Sequence, residues 1–217
     1  MAIAFDVATD GGSTTGTSLT FSHTCTGSDL VLFVGILSAV GADNVTGVTY
    51  SGVAMTRVEI RNEATPNRVN YLYMLVGPAT GANNVVISSG SSQFIAGVAA
   101  SYTGAAQSGQ PDANTNNYGA GAGSPFATSL ASVADNCWHI LCATQNAGAI
   151  TGAGAGTTQR ILQSDYLGLY DANSAKTPPG SVTLNVTLAA TANISTTMAS
   201  FAPAGGSVAN HSLLMGV

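Results

Sequence analysis

Nothing in this chain repeats its apolar residues every 3.6 positions, whereas SVTLNVTLA at residues 181–189 alternates them with a period of two. Successive side chains of a strand point to opposite faces. Val182, Leu184, Val186 and Leu188 therefore share an inward face, and Thr183, Asn185 and Thr187 point outward. Segments of this kind recur from end to end, separated by Gly, Ser, Asn and Pro clusters. AIAFDVA puts Ile3, Phe5 and Val7 on one face, and TSLTF does the same for Leu19 and Phe21. LVLFVGIL is apolar on both faces, as a central strand is. VTY and VAMTRVEI flank Ser51-Gly52, and a two-residue gap containing Gly signals a tight hairpin. RVNYLYMLV, NNVVISS and QFIAGVAASY follow, then a loop over residues 103–124. FATSLAS, NCWHILCAT, RILQSDYLGLY, SVTLNVTLA and ISTTMASFAP complete the series.

About ten strands without intervening helices predict an all-β fold: a single antiparallel β-sandwich, jelly-roll-like. No repeat and no composition break divides the sequence. The expected organisation is one β-sandwich domain over residues 1–203 and a C-terminal tail or arm over 204–217. The expected core holds Phe5, Leu32, Phe33, Val34, Ile36, Leu72, Phe94, Val98, Ile140, Leu184 and Val186.

Charge narrows the function classes. Charged residues are 7% of the 217, against about 25% in ordinary domains. The cations are Lys176, Arg57, Arg61, Arg68 and Arg160, and net charge is −5. No basic patch is present to neutralise phosphates, so nucleic acid is not an expected partner. Disordered chains are charged and poor in β-branched residues, the reverse of this composition. MAIAFDVATDGG lacks the basic n-region of a signal peptide, and the longest apolar run, LVLFVGILSAVG, is too short to span a bilayer. Cys25, Cys137 and Cys142 are an odd number, which predicts reduced thiols and synthesis in a cytoplasm.

Few residues suggest chemistry. His23 with Cys25, and Cys137 with His139, sit at i, i+2 spacing. Paired strands could assemble the four as zinc ligands, but the spacing departs from the usual zinc patterns, and packing explains each position. DANTNN places Asp112, Asn114 and Asn116 at EF-hand-like spacing, yet Asn117 stands where that loop needs Gly and Gly123 where it needs Glu. It reads as a polar turn, and YDANSA around Asp171 is weaker still. The two GAGAG runs, 119–123 and 152–156, lack the pattern of a phosphate loop. The four N-x-S/T sequons, such as that at Asn44, are expected by chance in a chain this rich in Asn, Ser and Thr. His23, His139 and His211 are the only histidines. No serine occupies a G-x-S-x-G elbow, and Glu59 and Glu63 fall on or just after one strand. No catalytic residue, metal site or cofactor is therefore assigned. Tyr71, Tyr73, Tyr102, Trp138, Tyr166 and Tyr170 all lie on predicted strands. They could form a sugar-stacking platform or serve as half-buried packing.

The stretch from about Leu30 to Asp112 resembles a β-sandwich pattern of bacteriophage structural proteins and related bacterial surface proteins. The elements that carry the likeness are LVLFVGI, VTGVTYSGVAMTRV, YLYMLVGPATG, NNVVISSG and AASYTGAAQSGQPDA. MASFAPAGG is similar to the closing strand of such domains. The resemblance implies a non-enzymatic virion component such as a capsid decoration (cement), fibre or tail protein, and it brings no catalytic residues. The alternative is a carbohydrate-binding or adhesin module of a phage fibre, tail or bacterial surface. A surface poor in Lys and Glu lacks the long charges that are depleted from interface cores, so the expected partners are copies of the chain, as a trimer, and other virion proteins. Leu213, Leu214, Met215 and Val217, beyond the spacer Gly205-Gly206, are the candidate subunit contact.

Overall fold

The computed structural model describes residues 1–63, 67–146 and 148–205. Leu213, Leu214, Met215 and Val217 therefore lie outside the described residues. The described chain is an all-β antiparallel sandwich of fifteen strands, and among its residues no helix is long and apolar enough to cross a membrane.

In the N-terminal half, β1 (Ala4–Cys25) pairs with β7 (Gly81–Thr103) along nearly its whole length. On the opposite edge of β7, β2 (Val31–Ser38) pairs with residues 95–102 and β3 (Val45–Tyr50) with residues 85–89. The sheet runs β4 (Val53–Ala54), β3, β7, β2, β6 (Arg68–Val76), β5 (Thr56–Glu63). Its two edge strands, β4 and β5, are separated in the chain by Met55 alone. A flat sheet cannot satisfy that connection. The ribbon folds back on itself, and its two lengths face each other across one core. Leu32, Val34, Ile36, Tyr71 and Tyr73 come from one length, and Val45, Val48, Tyr50, Val85 and Ile87 from the other. The hairpin read from Ser51-Gly52 is present: Tyr50 faces Val53, and both turn residues have positive φ, 50° and 79°.

The C-terminal half repeats this plan. A sheet in the order β12 (Thr158–Gln163), β13 (Leu167–Asp171), β10 (Trp138–Asn146), β15 (Ala192–Phe201), β8 (Ala113–Ala122) mirrors β5, β6, β2, β7 and β1. A smaller sheet of β11 (Ile150–Ala153), β14 (Ser181–Leu188) and β9 (Phe126–Ala131) mirrors β3, the first part of β7 and the last part of β1. Even the bulges coincide. β5 skips a residue between Arg57 and Glu59 opposite Tyr73 and Leu72, and β12 does so between Gln159 and Ile161 opposite Tyr170 and Leu169. β3 skips one between Val45 and Gly47, and β11 between Ile150 and Gly152. The sheets of the second half enclose their own core of Leu141, Tyr170, Leu184, Val186, Ile194 and Met198.

The two halves pack through their larger sheets. Phe33, Leu72, Val98 and Tyr102 meet Ile140, Cys142, Leu169 and Phe201 in a shared core. Contacts between halves come in exchanged pairs: β5 lies on β8 and β12 on β1, β6 on β15 and β13 on β7. The halves are thus related by an approximate two-fold axis within one chain, as the subunits of an isologous dimer are. Burial on both faces explains why LVLFVGIL is apolar throughout: every residue of β2 is buried.

Several expectations need correction. AIAFDVA and TSLTF belong to one strand, β1, because the glycines between them are absorbed as bulges rather than a turn; registers shift between Asp10 and Ser13 and between Gly16 and Ser18. A side chain at Gly11 would meet the Phe21 ring at 2.5 Å and the Gly97 carbonyl at 2.7 Å. VAMTRVEI breaks at Met55 into β4 and β5. RILQSDYLGLY is a hairpin, turned by Ser164 and Asp165 with φ of 44° and 64°. Part of the expected loop, 113–122, is strand β8. Nine of the eleven expected core residues are fully buried, whereas Phe5 and Phe94 are half-buried against the shared core.

Candidate functional site

One serine, one histidine and one aspartate do meet. Ser101 Oγ donates to Asp6 Oδ2 at 2.7 Å and lies 3.1 Å from His23 Nε2, while His23 Nδ1 is 2.8 Å from Thr9 Oγ1. The connectivity is wrong for nucleophilic catalysis. The carboxylate holds the serine hydroxyl rather than orienting the imidazole, and Ser101 and His23 are buried. Burial pulls the His23 pKa down to about 4, against the opposing field of Asp6. The group is a brace that ties the start and the end of β1 to the end of β7. Its counterpart stands in the second half, where Ser200 Oγ donates to Asp112 Oδ2 at 2.9 Å. Burial acts to raise the Asp112 pKa, but donors from the Val133 and Ala134 backbones and Ser200 outweigh it and hold the carboxyl below its usual value.

The remaining sequence candidates disperse. His23 and Cys25 belong to the first half, Cys137 and His139 to the second. Among the described residues no three His, Cys, Asp or Glu side chains gather as metal ligands. Burial raises the thiol pKa of Cys25, and of Cys137 to about 12. Asn114 and Asn116 lie on β8, where both amides donate to Glu59, at 2.9 and 3.2 Å. Asp112 points elsewhere, accepting from the backbone of Val133 and Ala134. Asp171 is fully buried beneath Arg160 and Tyr102. The first GAGAG run closes β8, and the second begins with Gly152 and Ala153, the last two residues of β11. The aromatic platform does not exist as a surface: Tyr71, Tyr73, Tyr102, Trp138 and Tyr170 are buried, and only Tyr166 is partly exposed.

Among the described residues, clefts open where the two halves pack together. One, of about 490 Å³, lies against Met1, Ile3, Trp138 and Pro203. A second, of about 360 Å³, is lined by Leu37, Arg68 and Phe94 from the first half and Gln145, Asn146 and Tyr166 from the second. Strand ends place these side chains. Arg68 opens β6, Asn146 closes β10, and Tyr166 follows the turn before β13. Phe94 and Tyr166 stand edge to face, 5.9 Å between centroids.

Two of the side chains that line this second cleft, Arg68 and Gln145, each have a buried polar atom without a partner. Arg57, Arg61 and Arg160 each pair with a carboxylate, on Asp43, Glu63 and Asp171. Arg68 has no such partner among the described residues. Glu63 faces it in register but bonds Arg61, and the buried Nε of Arg68 has no acceptor. Burial lowers the Arg68 pKa, with Tyr166 acting against it, yet a guanidinium remains charged. Gln145 spends both amide hydrogens on the carbonyls of Gly148 and Asp165, at 2.9 and 3.2 Å, while its buried Oε1 accepts nothing. Buried polar atoms are ordinarily paired, so two orphans on one cleft are notable. Sequence reading singled out Tyr166 alone of these residues. Arg68 and Gln145 carry no local motif, and only the packing of the halves joins them. Comparison of the chain with protein-family models, with curated proteins and with solved structures returned no match.

Proposed function

We propose that the chain is a non-enzymatic structural component of a bacteriophage particle, a capsid decoration (cement) protein made in the host cytoplasm and assembled as a homo-oligomer, a trimer, against other virion proteins. The observation that carries this reading is how the phage-like segments lie in the fold. LVLFVGI, VTGVTYSGVAMTRV, YLYMLVGPATG and NNVVISSG fall on β2 to β7, consecutive strands of one half. MASFAPAGG, similar to a closing strand, covers the end of β15, the counterpart of AASYTGAAQ at the end of β7. The low charge content supports it as well, because an uncharged polar surface meets neighbours without the desolvation penalty of buried ions. Electron microscopy of the native assembly is the test. Density for this chain on the outer shell agrees with the proposal. A chain that purifies as a monomer and turns over a substrate refutes it.

A further inference from the structure

The sandwich leaves several strand edges open, and an open edge presents backbone N–H and C=O groups that another strand can bond. Most of these edges are blocked. β5 carries Arg57, Glu59, Arg61 and Glu63, and its Val58 carbonyl already accepts from the Asn114 amide at 3.0 Å. β12 carries Arg160 and a bulge. β8 is turned onto β5 and β9 by its asparagines; Asn117 donates to the Ala127 carbonyl of β9 at 3.0 Å. β4 and β11 are only two and four residues long. The first part of β1 is kinked by bulges, and Asp10 Oδ1 accepts there from the Gly12 N–H at 2.8 Å.

The last part of β1 has none of these devices. Residues 18–25 pair with residues 81–88 of β7 in unbroken register. No Lys, Arg, Asp, Glu or Pro occurs between Asp10 and Asp29. Among the described residues, no hydrogen bond reaches the backbone of residues 17–22 from outside β7. The sheet behind the edge is equally neutral, since β3, β4 and residues 81–90 of β7 hold no charged side chain.

We propose that this edge pairs with the same edge of a second copy, antiparallel about a two-fold axis at Phe21. Continuing the sheet requires residues of like facing to meet, so the axis falls on a residue rather than between two. Leu19, His23 and Cys25 are buried within the chain, which leaves Phe21 as the inner-face side chain with surface still to cover. Centred there, the pairing sets each Phe21 ring against its own copy. On the outer face it sets Thr20 against Ser22 and Ser18 against Thr24. Aromatic and hydroxyl pairs of this kind stabilise neighbouring strands, and no like charges meet. A foreign strand would make the same backbone bonds without this matching of residue types. The inference rests on the homo-oligomer part of the proposed function and adds a contact to it, because a two-fold pair cannot close a ring of three.

Sedimentation equilibrium of the full-length chain tests it. The expected species is even-numbered: a dimer, or a hexamer where a three-fold contact also holds. Thr20→Lys with Ser22→Lys sets like charges opposite each other at two places across the axis, and should weaken the pair by about tenfold or more. Thr20→Glu with Ser22→Glu should weaken it likewise, and mixing the two variant chains should restore it. Thr46→Lys with Ser181→Lys, at exposed positions away from the edge, should leave it unchanged. Thermal melts check that each variant folds. A full-length chain that stays monomeric at every concentration overturns both this contact and the oligomer reading. An assembly that the Thr20 and Ser22 variants leave intact overturns the contact alone. So does failure of the mixed chains to associate, or equal weakening by the Thr46 and Ser181 variant.

Discussion

Replacing Asp171 by Ala should show how the halves are locked together. Its carboxylate is fully buried and receives three donors: Arg160 Nε at 2.6 Å, the Tyr102 hydroxyl at 2.8 Å and the Asn173 backbone N–H at 2.9 Å. Tyr102 reaches across from the first half. So does Phe5, whose ring lies 4.2 Å from the Arg160 guanidinium carbon. Removing the anion leaves Arg160, only 12% exposed at its side chain, with the Asn173 side-chain oxygen as its remaining acceptor. It also strands the Tyr102 hydroxyl in a wholly buried site. Breaking a buried pair from one side costs about 3–5 kcal/mol, and that range applies here. Tyr102→Phe removes one donor from a carboxylate that keeps two, so about 1.5 kcal/mol is expected. The double variant should cost less than the sum by roughly 1 kcal/mol, because no hydroxyl is then left unpaired. Urea unfolding is the assay, read by Trp138 fluorescence and by far-ultraviolet circular dichroism. Trp138 reports on the shared core, and both signals should change in one transition. A loss below about 0.5 kcal/mol for Asp171→Ala, or strict additivity with Tyr102→Phe, would refute this account of the contact.

Further outcomes follow from the same structure. Leu184→Ala, at a fully buried position in the second core, should cost about 2–5 kcal/mol by denaturant titration; an effect near that of a surface change would mean its face is wrongly assigned. Asn70 donates to the carbonyls of Cys142 and Ser195 and accepts from Thr197 across the shared core, so Asn70→Leu should lose about 2–4 kcal/mol in the same titration. His23 and His139 are buried, and burial brings both pKa values from 6.5 to about 4. The unfolded chain therefore binds more protons between those values, and stability should fall as pH drops from 6.5 toward 4, by up to about 3 kcal/mol for each histidine. A melting temperature that does not change over that interval contradicts the assignment. Removing residues 206–217 should leave the melt unchanged and weaken self-association in sedimentation; equal association would assign the tail no contact.

Local chemistry made parts of this fold legible and hid others. Ser51-Gly52 announces its hairpin because a turn with two positive φ values draws on few residue types. The alternation of residues 181–189 shows because β14 packs one face on a core and leaves the other more open. β8 was invisible because its Asn and Gly residues are poor strand formers; its pairing with β15 and the amide bonds to Glu59 hold it extended. The internal repeat left only traces: VTG at 45–47 against ITG at 150–152, LY at 72–73 against LY at 169–170, and AASY at 99–102 against MASF at 198–201. Each trace is too short to rise above a sequence full of Ala, Ser, Thr and Gly. The bulges that align them are features of pairing, which one strand does not encode by itself. The cleft was hidden for the same reason, since Arg68 and Gln145 are brought together by packing between halves.

The two-fold relation within one chain has an evolutionary consequence. In a homodimer each substitution is made twice, and a side chain near the axis is always mirrored by an identical one. Once both copies are carried on a single polypeptide, they can drift apart. The registers pair Phe94 with Asn193, Ser38 with Gln145 and Val69 with Tyr166 as equivalent positions. At each pair the two halves now differ. A symmetric ancestor could only have built such a cleft as two identical copies facing one another, or none. Two copies on one polypeptide are free of that constraint, so the seam between the halves can carry an aromatic ring and an amide at one of its two equivalent places and other residues at the other.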